Sequence, residues 1–367
     1  MSYKLLGEGL LIRSEKFDEL SKIEAVVFDI DGTLVDVTKS YYLTIKLTTC
    51  VILHKLCGLE CKLGSDVDAV INSLKMLGGF NSDWNTAATI IQAIFLHSSD
   101  VESCRETLEK IDIENYLDCI VEGESSPEYV KESLKWFSGI LKENFGRHLE
   151  RENIESLLDE EAEKLGRVEA LRKLRTSLGP LTSYGSGLLT TIFEEIYLGE
   201  EGTRGKYGVD PIYVSWRGAI LNEELLIEEE TLKELNELVP KGLAILTGRG
   251  RWESEKTLES IRQYFKLESS VFIGDIIRGP EKPDPTGLIR CAKAMGAEKV
   301  LYVGDSAEDL ILVRRASEKG LDAMFAGVLT NEQSFNFFIE NGAEIIVENV
   351  NELPRALMRE ESLWRPF

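Results

Sequence analysis

The segment Asp29-Ile30-Asp31-Gly32-Thr33-Leu34-Val35-Asp36 sets two carboxylates one residue apart, at the end of the apolar run IEAVVFDI. Such a pair, at a strand end and followed by glycine, can hold a divalent cation and leave one oxygen free to react. An EF-hand loop also clusters acids, but it needs Gly at the sixth position and Glu at the twelfth. Here the glycine comes fourth, so that reading fails. The bland alternative is a surface turn, which Asp and Gly both favour.

Three more segments follow in order. Leu246-Thr247-Gly248-Arg249 closes GLAILT, where the Thr247 hydroxyl and the backbone N–H groups about Gly248 can face an anion. In Glu281-Lys282-Pro283-Asp284-Pro285 the prolines pre-set a turn and start a helix, which fixes Lys282 ahead of it. Gly304-Asp305-Ser306-Ala307-Glu308-Asp309 follows KVLYV and adds Asp305, with Asp309 one helical turn on. Singly, these read as a capping threonine, a solvated lysine and an acidic first helical turn. Together they supply a nucleophile, a hydroxyl, a cation and metal ligands.

The elements that must position them are short, β-branched apolar runs at 23–30, 242–247, 270–274, 299–304, 321–328 and 344–347. Helix-period segments at 252–265, 285–296 and 306–319 alternate with them. That rhythm predicts an α/β fold with a parallel sheet covered on both faces, its functional groups gathered at the strands' carboxyl ends. Residues 38–231 break the rhythm with helical stretches at 40–57, 66–77, 86–97, 101–117, 127–145 and 149–176. The expected organisation is a core of 1–37 and 232–367 interrupted by a mostly α-helical insert, 38–231. Residues 1–22 are expected to add an edge hairpin and a helix.

The ordered motif set resembles the haloacid dehalogenase superfamily, whose members carry a DxDGT-type loop, a Thr or Ser, a Lys and an acidic pair. The resemblance covers roughly 23–40 and 232–348. It implies a Rossmann-like parallel sheet of subclass I, IA-like, with the insert as a large helical C1 cap. It further implies a phosphatase on a small phosphomonoester, with Asp29 as nucleophile and Asp31 as general acid and base. Thr247, Gly248 and Lys282 would bind the phosphoryl group. Mg²⁺ would be held by Asp29, the Asp31 carbonyl and Asp305, with Asp309 in support. Dehalogenase branches of the family lack an acid at the position of Asp31, which favours phosphate-ester chemistry. A phosphomutase is the nearest alternative, and a binding scaffold with residual hydrolysis is the alternative of another class.

Charge narrows the partners. With 64 acidic against 42 basic residues in 367, the net charge is −22. That disfavours nucleic acid and anionic membrane, both of which demand clustered Lys and Arg. Six cysteines are too few for a disulfide scaffold, and the start lacks a secretory signal, so the cytoplasm is the expected compartment. The less acidic window 171–220 holds two Gly-rich stretches, 182–187 and 202–208, read as loops. Arg204 and Lys206 there, with Asn81 and Asp83 of the GGFNSDW block, are the candidates for reading an anionic metabolite. Cys50, His54, Cys57 and Cys61 span too much helix, at ~1.5 Å per residue, to converge on one zinc ion. The cysteines are read as buried small hydrophobes. The oligomeric state is not legible.

Overall fold

The computed structural model describes residues 2–6, 9–77, 82–98, 110–120, 126–143, 151–275, 279–330, 332–358 and 365–366. It divides into two units, Met1–Val37 with Glu224–Phe367, and Thr38–Glu223. The chain re-enters the first unit at Glu224 rather than 232. Glu224–Leu225 pairs antiparallel with Val35–Asp36, and Leu226 N–H donates to the Leu34 carbonyl, so these residues are tied to the core.

Besides that pair, the strands of the first unit are β1 (Tyr3–Leu6), β2 (Leu10–Arg13), β3 (Ala25–Phe28), β4 (Leu243–Thr247), β5 (Val271–Phe272), β6 (Lys299–Gly304), β7 (Asp322–Val328), β8 (Ile345–Val347) and β9 (Arg365–Pro366). They form one sheet in the order β9-β1-β2-β8-β7-β6-β3-β4-β5. The stretch from β8 to β5 is parallel, and β1, β2 and β9 join antiparallel at the β8 side. The N-terminal residues thus supply the expected hairpin, but a 3-10 segment, Ser14–Lys22, stands in place of the expected helix. Strands β3, β4 and β6 are buried along their whole length. Continuous β-branched runs, not alternation, are what a sheet covered on both faces requires.

A buried ion network ties the outer strands. Glu344, before β8, is 2% exposed and takes Arg314 at 2.7 Å, Arg13 at 3.0 Å and the Phe325 N–H at 3.0 Å. Glu344→Ala removes the carboxylate and leaves the largely buried Arg13 guanidinium without it. The expected loss is about 3 kcal/mol of unfolding free energy, read by urea denaturation. A loss below ~1 kcal/mol would mark the network as an ordinary surface pair.

The second unit is helical: α1 (Leu43–Cys57), α2 (Ser65–Leu77), α3 (Asp83–His97), α4 (Glu128–Glu143), α5 (Arg151–Lys164), α6 (Val168–Leu178) and α7 (Leu188–Tyr207). Helices α1 and α3 are buried on almost every face and make the centre. Helix α4 buries one stripe, Val130, Ser133, Leu134, Phe137 and Leu141.

Three expectations need correction. Of 149–176, residues 149–150 lie outside the described residues, and the rest is two helices broken at Gly166, whose φ is 67°. Of 101–117, residues 101–109 lie outside the described residues. The part from Ile111 is a two-residue strand, Ile111–Asp112, and a 3-10 segment, Ile113–Cys119. The Gly-rich stretch 202–208 is the end of α7, not a loop. Gly202 and Thr203 are buried there, and Gly208 stops the helix in the left-handed region at φ 71°.

Candidate functional site

Asp29 follows β3 directly, and its N–H donates to the Val303 carbonyl of β6 at 2.9 Å. The next turn is wound tightly, because the Ile30 carbonyl accepts from the N–H groups of Thr33, Leu34 and Val35. Gly32 is obligatory in it. Its φ is 69°, and a Cβ would fall 2.1 Å from Asp305 Oδ2. The first acidic loop and the end of β6 are therefore in direct apposition.

Lys282 reaches the same point from the turn before the helix Thr286–Met295. Its ammonium is 2.8 Å from Asp29 Oδ1 and 2.9 Å from Asp309 Oδ1, with the side chain 5% exposed. Asp309 is fully buried and held from two sides. Ser306 N–H and Oγ–H donate to its Oδ2 at 3.1 and 2.6 Å, in a capping box. The Tyr302 hydroxyl lies 2.9 Å from Asp309 Oδ1. At Gly304 a Cβ would press on the Asp309 carboxylate at 2.5 Å, so glycine makes room for the acid.

Oxygen donors of Asp29, Asp305 and Asp309 lie within 4.8 Å of one another, the one such metal-compatible group among the described residues. Hard carboxylate oxygens in this number fit Mg²⁺. Burial pushes the Asp29 carboxyl above its usual range, Lys282 opposes this, and the Asp309 and Asp31 charges add to it. For Lys282, burial lowers and the Asp29 and Asp309 charges raise, and the raising wins, so the ammonium stays charged. Burial, with the Asp309 charge, likewise drives Glu308 well up.

Asp31 points elsewhere. Its Oδ1 receives the Arg249 guanidinium at 2.6 and 2.7 Å. Thr247 ends β4 fully buried, with its Oγ1 3.2 Å from the Arg249 N–H. Gly248 is exposed, with open space on the side where a Cβ would stand. Arg249 and Tyr302 belong to the site although the motifs do not single them out. Arg249 follows the Thr-Gly pair and resembles any surface arginine, whereas Tyr302 sits in a strand that reads simply as core.

The second unit treats its candidates differently. Arg204 pairs with Asp210 at 2.6 Å and Glu200 at 3.4 Å. Lys206 pairs with the buried Glu194 at 3.1 Å, which also accepts from the Tyr207 hydroxyl and the Trp84 indole. These carboxylates already take up the charge expected to meet a phosphate, so neither cation stands ready for an anion. Asp83 opens α3, directly after Ser82, and Asn81 lies outside the described residues. Cys50, Cys57 and Cys61 are buried as expected, and the Cys50 thiol contacts those of Cys61 and Cys119. Among the described residues no helix is long and apolar enough to cross a membrane.

A family model described as haloacid dehalogenase-like hydrolase matches residues 23–316. The phosphatase Tt82 from Thermococcus thioreducens is similar at 20% identity and TM-score 0.53, over 91% of this chain and 99% of that one. A Northeast Structural Genomics Consortium target is similar at 19% identity and TM-score 0.56, over 93% and 100%. At such identities the likeness is one of fold. An imidazoleglycerol-phosphate dehydratase of Phytophthora nicotianae is 32% identical over 146 residues, 39% of this chain and 27% of that protein. The chain thus spans about a quarter of the length of that curated relative. With the motif residues gathered at the ends of β3, β4 and β6, and the family match running through most of the sequence, the chain belongs to the haloacid dehalogenase-like hydrolases.

Proposed function

We propose that the protein is a Mg²⁺-dependent phosphatase that hydrolyses a small phosphomonoester through an aspartyl-phosphate on Asp29. The observation that carries this reading is the convergence of Asp29, Asp305 and Asp309 within 4.8 Å, beside a buried lysine. The three carboxylates, with the Asp31 main-chain carbonyl, would hold the ion. When bound, it would offset the repulsion between an anionic nucleophile and an anionic phosphate.

In this reading Asp29 attacks phosphorus in line, and the bond to the leaving oxygen breaks. Asp31 delivers a proton to that oxygen, then takes one from the water that hydrolyses the acyl phosphate. Thr247, the N–H groups around Gly248, and Lys282 meet the equatorial phosphoryl oxygens. The helical unit is read as a cap, because its two ends leave and rejoin the core on paired strands just past Asp31. A cap that excludes water suits a small phosphorylated metabolite better than nucleic acid or a membrane. A cytoplasmic setting completes the proposal.

The test is phosphate release across sugar phosphates, phosphoglycolate, nucleotides and amino-alcohol phosphates. Release with Mg²⁺ is expected, falling about 100-fold or more in EDTA and returning when Mg²⁺ is restored. Turnover that is indifferent to EDTA removes the metal from the reading. Isomerisation of a sugar phosphate without net release identifies a mutase, and saturable binding without turnover identifies a scaffold.

A further inference from the structure

We propose that Arg249 is a positioning residue that clamps the Asp31 carboxylate in one orientation and so makes it an effective proton donor to poor leaving groups. The inference rests on the phosphatase reading and extends it to a residue with no role there.

Three observations carry it. The Arg249 side chain is 1% exposed, while that of Asp31 is 27% exposed, so the cation lies beneath the acid and holds it from the protein side. Both short contacts, Nε at 2.7 Å and a terminal nitrogen at 2.6 Å, go to Oδ1 of Asp31. Two donors on one oxygen resist rotation of the carboxylate about its Cβ–Cγ bond and leave Oδ2 outside the clamp. Third, the clamp is itself held. The Arg249 N–H donates to Thr247 Oγ1 at 3.2 Å, its carbonyl accepts from the Gly274 N–H at 3.2 Å, and its other terminal nitrogen donates to Thr257 Oγ1 at 3.1 Å. Gly274 permits the approach, since a Cβ there would lie 2.6 Å from the Gly250 nitrogen.

The geometry matters because a general acid works only where its oxygen sits within hydrogen-bond reach of the leaving atom. A planar guanidinium can hold an orientation through several fixed N–H groups, whereas a lysine ammonium acts as a point charge. A buried pair serving stability alone would also look like this on first inspection. The two roles differ in one measurable respect. A structural defect slows all substrates together, whereas a misplaced acid slows those substrates whose leaving group needs the proton.

The experiment compares 4-nitrophenyl phosphate, whose leaving group departs readily unprotonated, with phenyl phosphate, which has nearly the same shape. For Arg249→Met the ratio of their kcat/KM values is expected to rise about tenfold or more over wild type, and Arg249→Lys is expected to fall between. Asp31→Asn should show the same bias. An unchanged ratio in the arginine variants, whatever the overall loss, overturns the proposal. Should Arg249→Met fail to fold, Arg249→Lys decides by the same criterion. Failure of wild type to hydrolyse either aryl phosphate or any member of the phosphomonoester panel instead defeats the phosphatase reading itself, and the clamp with it.

Discussion

Asp29→Asn is expected to abolish phosphate release, by about 10⁴-fold or more, while leaving the fold intact. The substitution keeps the shape of the side chain and an oxygen that Lys282 can meet at its present 2.8 Å position. What it removes is the proposed nucleophile, and the neighbouring acids have other engagements, Asp305 as a proposed ligand of the ion. Asp31 is engaged by Arg249, and Asp309 is fully buried against Ser306 and Tyr302. Thermal unfolding without metal should be unchanged or slightly higher, because one of several mutually repelling buried carboxylates has become neutral. Two measurements check the result together: steady-state phosphate release, and mass spectrometry of acid-quenched enzyme for the phosphoryl adduct at Asp29. A variant that keeps a tenth of wild-type turnover would sink the covalent route even if the fold and metal site were as described.

The proposed centre is legible in the sequence where its residues close recognisable apolar runs. Asp29, Thr247 and Asp305 follow or end strands whose burial is written in consecutive β-branched residues, and parallel pairing brings those ends together. Lys282 is legible only from the order of the set, since nothing local distinguishes it from a solvated lysine. Arg249 and the two cations of the helical unit escape for a related reason. Whether a charge is free depends on its partner, and partners such as Asp31 for Arg249 are remote in sequence. Lys206 finds Glu194 across a kink at Gly199, whose φ is 70°, and three glycines at 202–208 suggest no helix at all. Gly202 and Thr203 are buried at the start of that segment, and such packing can outweigh weak propensity. The return to the core at Glu224 is hidden because a two-residue strand carries no periodic signal.

Lys282→Met is expected to show the second large effect, and to show it in stability as well as turnover. Lys282 is the cation set between Asp29 and Asp309, so methionine keeps the packing and leaves both carboxylates without it. Turnover should fall by about 10²–10³-fold, the usual cost of losing a charge aimed at the transition state. The stability change has a definite sign with pH. Burial pushes the Asp29 carboxyl up to about 7, with Lys282 opposing and Asp309 and Asp31 adding. A carboxyl raised in the folded state binds more protons there than in the unfolded chain, so its contribution is fully present below the unfolded value near ~4 and is lost as pH rises through the folded value. Removing Lys282 takes away the opposing charge and carries that loss to higher pH. Metal-free Lys282→Met should therefore be destabilised modestly near ~pH 5 and by about 3 kcal/mol near ~pH 8. Added Mg²⁺ should recover part of the loss at the higher pH, because a cation among Asp29, Asp305 and Asp309 supplies charge that the lysine no longer does. Urea unfolding at the two pH values, with and without Mg²⁺, checks all of this. Equal destabilisation at both, with no response to the ion, would mean that the lysine is a packing element and that the carboxylates do not form a cation site.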